Sequence, residues 1–82
     1  MLIKVELKKP LRYFHKDGHA LVETKRSVSA GSIVRICRPE IRSLDGVDIR
    51  ARPFILEGNK KILYFLEHEL PALPEYEDNR AA

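Results

Sequence analysis

The sequence predicts an all-β domain: a small antiparallel barrel or roll of five or six strands, with an irregular acidic C-terminal tail. Several short segments alternate apolar and polar residues with a period of two, which is typical of half-buried strands. Turn signals separate these segments at intervals of roughly 8–12 residues. No stretch of ten or more residues repeats its apolar side chains with the helical period. We therefore assign residues 1–70 to the β domain and residues 71–82 to the tail.

The first strand and a hairpin begin the domain. Residues 3–7 alternate apolar and charged side chains and end before a proline, so they predict a strand. Asp17-Gly18 lies between two further strand-like segments, residues 11–15 and 20–25, and is a strong signal for a two-residue hairpin turn. The predicted register places Phe14 opposite Leu21, Tyr13 opposite Val22 and Arg12 opposite Glu23. This register gives two apolar pairs and one ion pair, as cross-strand pairing favours.

The middle of the chain contains one ambiguous segment. Residues 33–38 are rich in β-branched side chains and predict a strand that ends at Pro39, after a loop in which Gly31 can take a positive φ. Residues 39–44 begin with Pro-Glu, which can start one helical turn, but the segment is too short for a stable isolated helix. The sequence leaves their conformation open.

Two more turns and two more strands complete the domain. Asp45-Gly46 is followed by clean alternation over residues 47–52, and Pro53 predicts a break, a bulge or a sheet edge. A turn at Gly58-Asn59 pairs Glu57 with Lys60 and Ile55 with Ile62. The apolar residues 62–66 predict a central strand, and residues 67–70 predict one helical turn.

In size, the predicted roll resembles the SH3-like barrels. The resemblance depends on the strand count and on the segments Gly31-Ser32-Ile33-Val34 and Gly58-Asn59. It identifies no family and implies no function, because small barrels of this kind serve many unrelated activities.

Composition limits the function classes. The 82 residues allow one domain with one small core, which disfavours a self-contained monomeric enzyme. A single cysteine excludes an internal disulfide and a cysteine-based zinc site, and it favours a reducing cytoplasm. No apolar run approaches the roughly 20 residues of a membrane span. Charge is uneven, because residues 1–61 hold 14 Lys and Arg against 7 acids, whereas residues 62–82 hold one Arg and five acids.

The residues that could carry catalysis or bind a metal do not form a recognisable set. His15 and His19 flank the predicted turn, where we expect exposed histidines rather than a metal pair. Cys37 lies in an apolar strand and is expected to be a buried structural cysteine. We therefore predict no catalytic residue, no metal and no cofactor.

A strip of cations and aromatics predicts a nucleic-acid interface. Cations hold phosphates, and aromatic rings stack on bases. The candidate residues are Lys8, Lys9, Arg12, Tyr13, Phe14 and Lys16, aided by Arg50 and Arg52 on one strand face. The alternative is that these cations keep a small barrel soluble, since a dedicated nucleic-acid domain usually carries more than this net charge of +3.

The C-terminal segment predicts a protein contact. Apolar residues and prolines precede acids here, a pattern that can dock in a groove of a partner. The candidate residues are Leu70, Leu73, Glu75 and Tyr76. The first hypothesis is thus a non-enzymatic accessory protein, an adaptor or inhibitor that docks on a larger complex or dimerises through a strand edge. Nucleic-acid binding is the second, and a homo-oligomeric enzyme with an interfacial site is a weak third.

Overall fold

The computed structural model describes residues 2–71, which form seven β-strands and one 3₁₀ helix. The strands are β1 (Ile3–Glu6), β2 (Leu11–Asp17), β3 (Ala20–Val28), β4 (Ile33–Ile36), β5 (Glu40–Leu44), β6 (Val47–Leu56) and β7 (Ile62–Leu66), and the 3₁₀ helix is Glu67–Glu69. The predicted all-β class is confirmed. The strands number seven rather than five or six, because residues 40–44 form a strand.

The strands form one sheet that closes into a ring. Their order is β1-β4-β6-β5-β3-β2-β7, and β7 also pairs with β6. The ring therefore contains β2, β3, β5, β6 and β7, while β4 and β1 extend the sheet outward from β6. The β3–β5 pairing is parallel, whereas an entirely antiparallel barrel was expected. Its register joins Ala20 to Ser43, and the Ser43 N–H donates to the His19 carbonyl at 3.1 Å.

The first hairpin is present, but its predicted register is wrong by two residues. Asp17 pairs with Ala20, so the turn residues are Gly18 and His19 rather than Asp17 and Gly18. Gly18 has a φ of 63°, and glycine at the first central position is typical of type II′ turns. Phe14 consequently lies opposite Glu23 instead of Leu21.

A bulge of three residues opposite one interrupts the same hairpin. The register changes between Arg12 and Phe14, so residues 24–26 of β3 face the single residue Tyr13 of β2. Lys25 takes a φ of 63° within this bulge, and the Thr24 hydroxyl donates to the Tyr13 carbonyl at 3.0 Å. The bulge increases local twist, which helps a sheet to close.

The ambiguous residues 39–44 resolve into β5, which forms a hairpin with β6. Leu44 pairs with Val47 across a turn in which Asp45 and Gly46 both have positive φ. Positive φ at both central residues defines a type I′ turn, whose twist matches the flanking strands. The predicted turn at Asp45-Gly46 is thus confirmed.

Pro53 was expected to mark a break, a bulge or a sheet edge, and the structure shows no break, because β6 continues through it. β6 pairs with β5 as far as Ala51 and with β4 from Phe54 onward. Pro53 lies where the partner changes, and its carbonyl accepts a hydrogen bond from the Cys37 N–H at 2.8 Å. A residue without an N–H is tolerated at such a position because the strand exchanges partners there.

β7 occupies the centre of the molecule, as its apolar sequence predicted. Ile55 pairs with Ile62, which confirms the register expected for the third turn. Alternate residues of β7 face two apolar clusters, and both faces are therefore buried, which accounts for an unbroken apolar run. The larger cluster contains Leu7, Val28, Val34, Ile36, Phe54, Leu63 and Phe65, and the smaller contains Phe14, Leu21, Ala51, Tyr64 and Leu66.

Candidate protein-binding cleft

An apolar cleft of 330 Å³ lies between the β1–β2 connection and the 3₁₀ helix. It is lined by Leu7, Lys8, Lys9, Pro10, Leu11, Glu69, Leu70 and Pro71. Leu7 is buried at the base, and the side chains of Lys8 and Lys9 are exposed. Pro10 ends the turn between the strands, and Leu11 and Leu70 pack against the larger core cluster. The cleft thus joins an apolar floor to two cations.

Glu69 orients the 3₁₀ helix along one side of the cleft. The Arg12 Nε donates to both Glu69 carboxylate oxygens at 3.1 Å, and Nη2 donates to Oε2 at 2.6 Å. Hydrogen bonding to Glu69 is the main cause of a raised pKa at Arg12. Arg12 also reaches Glu23 at 3.5 Å, so the predicted Arg12–Glu23 ion pair exists despite the changed register. This pairing links the helix to β2.

Glu67 holds the other end of the helix against β6. Arg50 donates from Nε to Glu67 Oε2, and Arg52 Nη1 lies 3.4 Å from Glu67 Oε1. Arg52 is completely buried, and its Nε donates to the Cys37 carbonyl at 2.8 Å. Both arginines contact the Glu67 carboxylate, which is consistent with the prediction that Arg50 and Arg52 lie on one face of their strand. The two glutamates together position the helix that borders the cleft.

The predicted nucleic-acid residues are divided between the surface and the core. Phe14 is 1% exposed, and the Tyr13 ring packs edge-on against Phe54 with centroids 6.0 Å apart. The Phe14 ring therefore presents no free face for base stacking, the Tyr13 ring is half-buried, and the Arg52 side chain is inaccessible. Lys8, Lys9 and Lys16 are exposed. Lys8 and Lys9 border the cleft, whereas Lys16 lies near the hairpin turn at the other end of β2.

The predicted protein-binding residues are only partly described. Leu70 is half-buried and lines the cleft, close to the two lysines that were assigned to the nucleic-acid strip. Leu73, Glu75 and Tyr76 lie outside the described residues. The structure therefore brings Leu70, predicted to bind protein, next to Lys8 and Lys9, predicted to bind nucleic acid. No local pattern could indicate this, because the two segments are about 60 positions apart in the sequence.

Sequence reasoning missed a polar cluster centred on Arg42. Arg42 Nη2 donates to Glu40 Oε1 at 2.7 Å and to the Tyr64 hydroxyl at 3.3 Å, and Nη1 donates to the Gly18 carbonyl at 3.2 Å. Burial is the main cause of a raised pKa at Tyr64, and the nearby Glu40 carboxylate adds to it. In a strand, Glu40 and Arg42 lie on the same face, and this spacing indicates an ion pair. The sequence left the conformation of residues 39–44 open, so the pair was not predicted.

The reactive side chains of the described region are dispersed. Cys37 was expected to be buried within a strand, but it directly follows β4 and is half-buried; burial raises the pKa of its thiol. His15 and His19 are exposed, and His19 Nε2 lies 3.6 Å from an Asp48 carboxylate oxygen. Within residues 2–71, no three His, Cys, Asp or Glu side chains are grouped so as to hold a metal ion.

Two further observations bear on the functional classes. Among the described residues, no helix has both the length and the apolar character that a membrane crossing requires. Comparison with protein-family models, with curated proteins and with solved structures finds no match to this chain. Functional inference therefore depends on the geometry of the cleft and its surroundings.

Proposed function

We propose that this protein is a non-enzymatic binding module, a small cytoplasmic adaptor or inhibitor that docks on a protein partner through the cleft. The observation that carries the proposal is an apolar depression with exposed Lys8 and Lys9 beside it. A peptide segment with one large apolar side chain, followed by carboxylates, has the complementary shape and charge. The apolar side chain would occupy the cleft, and the carboxylates would face the lysines.

The size of the cleft sets the expected strength of binding. A volume of 330 Å³ accommodates one or two side chains rather than a long peptide. Burying one large apolar side chain contributes about 1.5–3 kcal/mol. Exposed ion pairs add about 0.2–1 kcal/mol each. These contacts total about 2–5 kcal/mol before the entropy lost on association is subtracted, so we expect weak binding with a Kd of about 1 mM or higher.

The neighbouring charges favour a peptide over nucleic acid. Arg12 is already bonded to Glu69, and Arg50 to Glu67, so both cations face carboxylates within the chain. The Phe14 ring is buried. The remaining exposed lysines support a phosphate contact but no base stacking. The experiment must therefore distinguish peptide binding from nucleic-acid binding.

The test measures binding of labelled peptides by fluorescence anisotropy. The probes are dodecapeptides with one central Leu or Phe and three following Glu, and matched peptides with Ala at the apolar position. We expect binding to the first set and at least about tenfold weaker binding to the second.

Paired variants identify the surface used. The substitutions Lys8→Glu and Lys9→Glu together should weaken peptide binding about tenfold or more. The pair Lys60→Glu and Lys61→Glu applies the same charge change to two adjacent exposed lysines in the β6–β7 connection, away from the cleft. This control should leave affinity unchanged apart from a small long-range charge effect.

Two results would overturn the proposal. One is equal loss of binding in both double variants, since the effect would then depend on net charge alone. The other is absence of peptide binding together with binding of single- or double-stranded DNA or RNA that falls steeply between ~50 and ~200 mM salt. That second result would assign the exposed lysines to phosphate contacts.

A further inference from the structure

β1 is an edge strand whose outer side pairs with no other strand of the described region. Its register with β4 joins Ile3 to Ile36 and Val5 to Val34. The side chains of Lys4 and Glu6 are exposed, and those of Ile3 and Val5 are half-buried. The edge thus presents a backbone for pairing and one face with alternating opposite charges.

The hydrogen bonds of the sheet determine which β1 residues face outward along the edge. The Leu7 N–H donates to the Ser32 carbonyl at 2.9 Å, which places the Leu7 backbone groups toward the β4 side. Backbone polar groups alternate in direction along an antiparallel strand. The backbone groups of Ile3 and Val5 therefore also point toward β4. Those of Lys4 and Glu6 point away from it.

Hydrogen bonds on the far side of β4 agree with this assignment. The Cys37 N–H donates to the Pro53 carbonyl, and the Ile33 carbonyl accepts from the Glu57 N–H, so odd-numbered residues of β4 bond to β6. Even-numbered residues of β4 consequently bond to the odd-numbered residues of β1. Lys4 and Glu6 are thus the residues that can bond to an added strand.

A second copy of the chain can add an antiparallel strand to this edge in few registers. Two-fold symmetry and hydrogen bonding require outward-facing residues to pair with outward-facing residues. Pairing Lys4 with Lys4 of the second copy places like charges opposite each other. Pairing Glu6 with Glu6 of the second copy does the same. A third register lies midway between these two registers. In it, Lys4 of each copy lies opposite Glu6 of the other copy, so two opposite-charge pairs form.

We propose that two copies of the chain associate through β1 in this intermediate register. The two-fold axis passes beside Val5, and each interface contains two Lys4–Glu6 ion pairs with the reciprocal backbone hydrogen bonds of both residues. Ile3 lies opposite Leu7 of the second copy, so the apolar side of each β1 continues across the junction. The inference concerns the strand edge and is independent of whether the cleft binds a peptide.

The single chain itself contains a charge conflict that this pairing relieves. Lys4 lies opposite Arg35 in the β1–β4 register, and like charges directly opposite each other are unfavourable. In the proposed dimer, Glu6 of the second copy takes the other side of Lys4. The row across the sheet then runs Arg35, Lys4 and Glu6 of the second copy, with the carboxylate next to Lys4.

The test is sedimentation equilibrium of the full chain between ~20 µM and ~1 mM, a range suited to a short interface. We expect concentration-dependent dimers. Either Lys4→Glu or Glu6→Lys alone creates two like-charge pairs and should raise the Kd about tenfold. The double variant with both substitutions restores opposite charges and should restore the dimer. An equimolar mixture of the two single variants should form heterodimers, because one copy then carries only glutamates and the other only lysines at these positions.

Control measurements separate association from folding. The Lys4→Glu change removes the conflict with Arg35, so the folded monomer should be at least as stable as the parent in urea. Lys16→Glu, on a strand that does not adjoin β1, should leave the Kd unchanged. A chain that remains monomeric at ~1 mM would overturn the inference. So would a double variant that dimerises no better than the single variants.

Discussion

Because the Arg52 side chain is buried, removing the charge of Glu67 should lower the free energy of unfolding by a measurable amount. Arg52 is 0% exposed, and the Glu67 carboxylate lies 3.4 Å from its guanidinium, while Arg50 contacts the same carboxylate from the surface. Glu67→Gln retains the size of the side chain and removes its charge. Removing one partner of a fully buried ion pair costs about 3–5 kcal/mol. Glu67 is 19% exposed and its contact with Arg52 is 3.4 Å, so we expect about 2–3 kcal/mol.

The assay is equilibrium unfolding in urea, monitored by far-ultraviolet circular dichroism. A chain of this length has a total unfolding free energy of about 4–12 kcal/mol. An m-value of about 1 kcal/mol/M then converts the loss into a midpoint lower by roughly 2–3 M urea. Glu69→Gln is the matched control in the same helix. It breaks the Arg12 pair, whose arginine side chain is 43% exposed, and should cost no more than about 1 kcal/mol.

A double-mutant cycle tests the physical reason for the loss. Arg52→Met removes the buried cation together with its need for a counter-charge, so it should cost less than Glu67→Gln. Once Arg52 is Met, adding Glu67→Gln should cost only what loss of the exposed Arg50 pair costs, up to about 1 kcal/mol. The reasoning is refuted if Glu67→Gln costs no more than Glu69→Gln, or if the two changes at Arg52 and Glu67 are additive.

Three further predictions concern single positions. Lys25 has a φ of 63°, where a β-branched side chain is more crowded than lysine, so Lys25→Ile should destabilise the fold by about 1 kcal/mol. Lys16→Ile, at a strand position without positive φ, should not, and urea midpoints compare the two. Gly46 has a φ of 81° and open space where a side-chain methyl group would lie, so Gly46→Ala should lose about 1 kcal/mol through backbone strain alone. Burial raises the pKa of the Cys37 thiol, so the unfolded chain releases this proton first and stability should fall as pH rises above about 8.5. Cys37→Ala should reduce that loss between pH ~7.5 and ~9.5, and an unchanged pH profile would contradict the assignment.

Local patterns predicted the strands and turns because their causes are local. Asp45-Gly46 supplies the positive φ angles of a type I′ turn, and alternation over residues 47–52 marks a strand whatever its neighbours are. The third turn also gave the correct register, with Ile55 opposite Ile62. In these segments the preferred local conformation and the final fold agree.

The first hairpin shows where local patterns are insufficient. The predicted and observed registers differ by two residues, and a shift of two leaves every side chain on the same face of its strand. Alternation therefore cannot distinguish them. On its other side, β2 pairs with β7 through Phe14 and Tyr64, and this long-range pairing helps to close the ring. Arg12 still reaches Glu23 because diagonal neighbours lie within range of long side chains.

The candidate site depended even more on long-range contacts. Alternation correctly placed Arg50 and Arg52 on one face, but it also predicted that this face is exposed. Residues 51–54 of β6 are all buried, because neighbouring strands and the 3₁₀ helix cover both faces there. Glu67 and Glu69 appeared as part of an acidic C-terminal region, whereas the structure directs them to arginines on β6 and β2.

The sequence by itself determined the all-β class, the location of the turns to within one residue, and the assignment of residues 62–66 to a strand buried on both faces. These properties follow from side-chain periodicity and backbone preference, which act over a few residues. Only the tertiary structure decided ring closure, the burial of Arg52 and the meeting of Lys8 and Lys9 with Leu70. Those features arise from contacts between segments that are far apart in the chain, so their energies contribute only after the sheet has closed.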